Sequence, residues 1–142
     1  MLVSTKGRYA IRVMIDLAEH ANGQRIPLKE IARRQGISQK YMEGIMAILS
    51  KAGMVDGLHG KGGGYRLNQP ASSYRVSDIL LLTEGTLSAV ACLAPGSRPC
   101  PRAATCRTLS MWKGLDDLIL RYFEGITVAD LAHEYDVGDY VI

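Results

Sequence analysis

Residues 26–67 constrain this chain more than any other stretch. Pro27 opens a short amphipathic segment, Leu28 to Gln35, in which Leu28, Ile31 and Ala32 share one face. Gly36-Ile37 follows as a tight turn. Ser38 is placed to cap a second helix that runs to about Ala52 and is closed by Gly53. Two short helices joined through a glycine turn are the pattern of a helix-turn-helix; an ordinary helical hairpin in a core shares it. In the second helix Tyr41, Met42, Ile45, Met46, Ile48 and Leu49 form a broad apolar face. Gln39, Lys40, Glu43, Gly44 and Ala47 lie on the other side. That second surface suits a reading helix: polar groups in its first turns and small residues that allow close approach to a groove. Glu43 can accept from a cytosine amino group, and Gln39 can reach adenine.

Two short strand-like runs come next, Met54 to Leu58 and Tyr65 to Leu67, around His59-Gly60-Lys61-Gly62-Gly63-Gly64. A hairpin directly after a helix-turn-helix is a wing. Its glycines let the backbone approach a phosphate. The rival reading, a nucleotide phosphate loop, needs Gly-Lys-Ser/Thr opening a helix after the glycines. Here Lys61 precedes the triple glycine and a strand follows.

Ahead of these elements, Lys6 to Ala21 reads as a helix capped by Ser4 or Thr5, with Ala10, Val13, Met14, Leu17 and Ala21 in one stripe. Lys6, Arg8 and Arg12 stand near its start. Charge is uneven. Residues 1–69 hold 11 Lys/Arg and 5 Asp/Glu, a net of +6, while residues 70–142 hold 6 and 9, a net of −3. A basic half points to a polyanion, with DNA the natural partner. The expected DNA-contacting residues are Lys6, Arg8, Ser38, Gln39, Lys40, Tyr41, Glu43, His59, Lys61, Gly62 and Arg66.

All three cysteines lie in the second half: Cys92, Cys100 and Cys106, with seven residues between the first two and five between the last two. Pro95, Gly96, Pro99 and Pro101 keep this stretch irregular. Thiolates are soft ligands for iron–sulfur clusters, Zn²⁺ and Cu(I). The wide gaps lack the close pairing of structural zinc and suit a larger cluster. Arg98, Arg102 and Arg107 can offset its charge. Cys106, just ahead of a helix, is favoured as a thiolate by the helix dipole. A redox-active disulfide or three free thiols are the competing readings. Clustered thiols, no leader sequence and no apolar run near the ~20 residues of a membrane span place the chain in the cytoplasm.

Around this loop, Val76 to Glu84 reads as a helix, and Thr86 to Leu93 is apolar enough to pack beneath the loop. Thr108 to Gly125 reads as the longest helix. Met111, Leu115, Leu118 and Tyr122 recur four, three and four apart, as in a coiled-coil seam. Trp112, Ile119 and Phe123 form a second stripe. A helix apolar on two faces must bury both. One is expected on its own subunit and one on a partner's, with Met111, Trp112, Leu115, Leu118, Ile119 and Tyr122 forming the dimer contact. Thr127 caps a last helix to about His133, and a mixed tail ends the chain. The fold expected is mainly α with a small β-hairpin wing: a winged helix-turn-helix over residues 1–76, then the cysteine loop, dimerisation helix and tail over 77–142. An enzyme using Cys100 or Cys106 as nucleophile needs a base, and His20, His59 and His133 lack any motif that would supply one.

Ser4-Thr5-Lys6-Gly7-Arg8-Tyr9-Ala10, Gln35-Gly36-Ile37-Ser38 with Tyr41-Met42-Glu43, and Gly60-Lys61-Gly62-Gly63-Gly64-Tyr65 closely resemble the bacterial Rrf-two family of winged-helix regulators, its iron–sulfur regulators above all. The similarity runs from the N-terminus to about Leu131. It implies a homodimeric transcription factor on palindromic duplex DNA, with a cluster on the three cysteines that reports iron–sulfur, redox or nitric-oxide status. A cluster-free regulator of the same fold, switched by thiol oxidation or a small ligand, is the alternative. The iron–sulfur branch places a histidine three residues after the third cysteine, where this chain has Leu109. The nitric-oxide-sensing branch uses a carboxylate from the other subunit, where this chain has Arg8. Solvent, a small thiol or another group is left to complete the ligand set. The cysteine spacing is similar to that of the rhizobial iron regulators, which implies four irons. The N-terminal segment favours a [2Fe–2S] cluster over a [4Fe–4S] one.

Overall fold

A computed structural model describes residues 2–132. Ser4 opens helix α1 (Thr5–Glu19) by accepting from the Gly7 N–H at 3.1 Å. Ala10, Val13, Met14 and Leu17 of α1 are fully buried, as their spacing demands. Helix α2 (Leu28–Gln35) ends at Gly36, whose φ of 65° is the left-handed conformation glycine adopts without penalty. Ser38 then caps α3 (Gln39–Lys51) by accepting from Tyr41 N–H at 3.1 Å. Met42, Ile45, Met46 and Leu49 face the same core as α1. Tyr41, counted with the apolar face as well as among the expected DNA contacts, leaves that face. It stands exposed rather than in the buried face, edge-on to Tyr9 with ring centroids 5.8 Å apart.

The strands β1 (Val55–Leu58) and β2 (Gly64–Leu67) pair antiparallel with Val55 opposite Leu67 and Leu58 opposite Gly64. Ile26 adds a short third edge, exchanging backbone bonds of 2.8 and 2.9 Å with Tyr65. That approach requires Gly64, because a Cβ there would collide with the Ile26 carbonyl. The Tyr74 hydroxyl closes the hairpin's base. It accepts from the Asn68 and Gln69 N–H groups at 3.1 Å each and donates to Met54 O at 2.9 Å.

Helix α4 (Val76–Glu84) packs on α1 and carries a second apolar cluster: Val76, Leu80 and Leu87, covered by Ile119, Leu120 and Phe123 of α5 (Leu109–Glu124). Segment 86–93 is anchored on this contact. Its buried residue, Leu87, belongs to the α4–α5 contact, and Asp116 of α5 pins the segment by accepting from Ser88 Oγ at 2.7 Å and Ala89 N–H at 2.8 Å. After α5 the chain returns to the head, where Val128 completes the first core. Thr127 and Asp130 cap each other reciprocally at the start of the helical residues 128–132. The expected end of that helix at His133, and the tail, lie outside the described residues. No helix among the described residues is long and apolar enough to cross a membrane.

Candidate nucleic-acid interface and cysteine loop

The outer face of α3 is open along its length. Gln39, Lys40, Tyr41, Glu43, Gly44 and Ala47 are all exposed. Between this face and the hairpin runs a groove of about 960 Å³. Gln39, Glu43 and Ala47 form one wall and His59, Gly60 and Gly63 the other, with Arg25, Pro27 and Lys29 also lining it. On the opposite flank of α3 a shallower hollow brings Lys6 of α1 together with Ser38, Lys40 and Tyr41. Lys61 and Gly62 sit exposed at the tip of the hairpin. The turn holds its shape because Gly62 takes a φ of 77° and a Cβ on Gly63 would strike the Leu58 carbonyl.

One expected contact, Arg66, lies off the groove, and two others make local bonds. Arg66 does not line this groove; its guanidinium donates to Gly23 O at 3.1 Å and lies 3.7 Å from Asp56. Arg8 is exposed but donates to Thr5 Oγ1 at 3.1 Å. The Ser38 hydroxyl is committed to its capping bond.

One network was not foreseen. Asp16 of α1 is 1% exposed and accepts from Arg34 Nε at 3.0 Å, Arg34 Nη2 at 2.7 Å and Gln35 Nε2 at 2.8 Å. The hydrogen bond to Asp16 holds the Arg34 guanidinium above its ordinary pKa. Gln35 in turn accepts from Arg12, whose guanidinium lies 4.9 Å from the Tyr9 ring centroid. The sequence did carry a signal: an aspartate set among Val13, Met14 and Leu17 is a buried carboxylate, and such a group needs partners.

On α5 the two faces separate as the two stripes anticipated, with one correction. Met111, Leu115, Leu118 and Tyr122 are exposed at 54%, 37%, 61% and 67%, a continuous apolar stripe on a helix otherwise packed on α4. Ile119, grouped above with the dimer contacts, instead packs into the chain's own second core, and Trp112 is half-buried.

The loop from Cys92 to Cys106 contains two short 3₁₀ turns, Ala91–Leu93 and Ala103–Thr105. Its hydrogen bonds are local, such as Ser97 Oγ to Cys92 O at 3.2 Å and Ala103 N to Cys100 O at 3.0 Å. Cys92 and Cys106 are exposed and Cys100 is partly covered; none is in a disulfide. The Cys106 thiol is held below its usual pKa, first by the Thr108 hydroxyl at 3.5 Å, then by the backbone N–H groups of Thr108 and Leu109. The donor chemistry fits a thiolate-held cluster: three soft ligands, one primed to ionise. The present spacing does not, since no three Cys, His, Asp or Glu side chains among the described residues are grouped to hold a metal ion. Holding a cluster requires this locally bonded loop to draw in.

A helix-turn-helix with an exposed second helix, followed by a glycine-tipped hairpin, defines a winged-helix DNA-binding protein. Comparison with known proteins narrows the class. The model of the Rrf2 family, described as iron-dependent transcriptional regulator, matches residues 3–134. The HTH-type transcriptional regulator IscR of Escherichia coli (strain K12 / DH10B) is 34% identical over 139 residues, 98% of this chain and 85% of that protein. The solved structure of T. potens IscR superposes with a TM-score of 0.74 at 32% identity, covering 100% of this chain and 92% of that one. The structure of CymR, the global cysteine regulator of B. subtilis, also reaches 0.74, at 30% identity over 93% and 96%. The chain belongs to the Rrf2 family: it is a DNA-binding transcriptional regulator, and its relatives are regulators rather than enzymes.

Proposed function

We propose that this chain acts as a homodimer on a palindromic operator and reports iron–sulfur, redox or nitric-oxide status through Cys92, Cys100 and Cys106. One juxtaposition carries the reading: every thiol of the chain lies in one locally bonded loop that leads directly into α5, the helix with the exposed apolar stripe. The family's description as iron-dependent supports it. A bound iron–sulfur cluster supplies a centre labile to oxidants and tunable in potential. Cys92, Cys100 and Cys106 hold it, with [2Fe–2S] favoured over [4Fe–4S], and no protein side chain is assigned as fourth ligand. Met111, Leu115, Leu118 and Tyr122 bury against the same stripe of a second copy, an isologous contact. Glu43, Gln39 and Lys40 enter successive major grooves about 34 Å apart, and Lys61 and Gly62 reach the flanking backbone. Ordering or release of the loop shifts α5 and thereby the spacing of the two reading heads.

Operator affinity measured by fluorescence anisotropy tests this reading. Cluster-loaded protein, stripped protein and the triple Cys→Ala variant are compared at one salt concentration. Loaded and stripped protein should differ in affinity, and the triple variant should match the stripped form. Three superimposable isotherms would refute the sensing role. A second reading has its own support. Cys92 and Cys106 are exposed, the three thiols are not grouped around a metal position among the described residues, and the Cys106 thiol is held below its usual pKa. On that reading thiol oxidation alone switches binding and the protein is colourless.

A further inference from the structure

Arg25 was not among the residues singled out by sequence, yet it holds an unusual position. Ile26 pairs with Tyr65 on both sides of its peptide and points into the core. Its neighbour Arg25 is thereby turned to the groove between α3 and the hairpin, which it lines. The Arg25 Nε is buried and has no hydrogen-bond partner among the described residues, and Arg25 enters no ion pair there. The side chain as a whole is half-buried, but a buried N–H left without an acceptor costs stability, and an incoming acceptor relieves it. Lys29 lies along the same groove, at the start of α2. Of the acidic groups lining it, Asp56 lies 3.7 Å from Arg66, and Glu43 faces in from α3. Between the two walls the groove is therefore cationic along its Arg25–Lys29 side.

With α3 in a major groove and the tip of the hairpin on the flanking backbone, the sugar–phosphate strand that edges the major groove passes between these two walls. We propose that Arg25, assisted by Lys29, is a phosphate-binding site for that strand and fixes the depth at which α3 sits. The proposal rests on the docking of α3 and hairpin put forward above. It assigns Arg25 to positioning and leaves base choice to α3.

The test compares R25M and R25K with wild type and with Lys61→Ala, measuring duplex affinity across a salt series and thermal stability. Each phosphate contact contributes a slope of about −0.9 in log K against log salt, or about eightfold in affinity at 0.1 M relative to 1 M. R25M should lower the slope by about one per Arg25 removed, about two per dimer, with base preference unchanged. Its Tm should equal or exceed that of wild type, because an unpaired donor has been removed. R25K should keep the wild-type slope. An R25M protein with wild-type slope while Lys61→Ala reduces it would overturn the site but leave the docking mode standing. If neither variant changes the slope, the docking mode falls and the site with it. A Tm lowered in both R25M and R25K would make Arg25 a structural residue and overturn the proposal. Calorimetric titration with inorganic phosphate should show no saturable binding; Arg25-dependent saturation would reassign the groove to a free anion.

Discussion

Replacing Asp16 by alanine should destabilise the reading head by about 3 kcal/mol. The carboxylate is 1% exposed and satisfies three donors from Arg34 and Gln35. Removing one partner of a buried ion pair costs about 3–5 kcal/mol, because the other charge is left behind. Arg34 keeps 23% of its side chain accessible, so water rehydrates part of its charge and the lower end applies. With an unfolding entropy of about 2.1 cal/mol/K per residue over 142 residues, 3 kcal/mol lowers Tm by about 10 °C. Urea titration and calorimetry on the Asp16→Ala and Asp16→Asn variants provide the measurement. The Asp16→Asn variant also removes the negative charge and turns an amide NH2 toward one of these donors, so it should lose about as much. A loss below about 1 kcal/mol in the alanine variant would refute the reasoning, because it would mean that this carboxylate is no better paired than a surface group.

If the chain dimerises as proposed, Leu118→Glu should leave a folded monomer, halving the mass seen by light scattering, because Leu118 is 61% exposed on the chain alone; an unchanged dimer mass would place the contact elsewhere. Thr108→Ala should raise the pH at which Cys106 is alkylated in metal-free protein. The hydroxyl favours the thiolate, so its removal moves ionisation toward the ordinary thiol range. An unchanged pH profile would deny that the hydroxyl acts. Glu43→Ala should relax sequence preference more than it weakens binding, checked on a panel of operator variants, whereas a uniform loss across sequences would remove Glu43 from base reading.

The head was legible because its signals are local. Ser4, Ser38 and Gly36 act within one turn of themselves, and the run Gly60 to Gly64 encloses its own hairpin. The stripe from Met111 to Tyr122 was legible through helical spacing, and the structure leaves it exposed. What was missed depends on pairings distant in sequence. Arg25 is aimed by the bridge from Ile26 to Tyr65, and Arg66 is drawn away by Gly23, 43 residues earlier. Tyr41 counted as apolar by type, but its place on α3 puts it outside the core against Tyr9. The loop from Cys92 to Cys106 shows the same limit. Composition identifies the donors, but closing them around a ligand depends on a loop whose own bonds reach only a few residues.

The central claim is that Cys92, Cys100 and Cys106 hold an iron–sulfur cluster. Anaerobic purification followed by an absorption spectrum and iron and sulfide assays per chain tests it most directly, with the triple Cys→Ala variant alongside. The wild-type protein should be brown, with iron and sulfide in equal amounts, about two of each per chain for a two-iron cluster, and the triple variant colourless. Colourless wild-type protein that cannot be reconstituted with iron and sulfide would contradict it and leave the thiol switch.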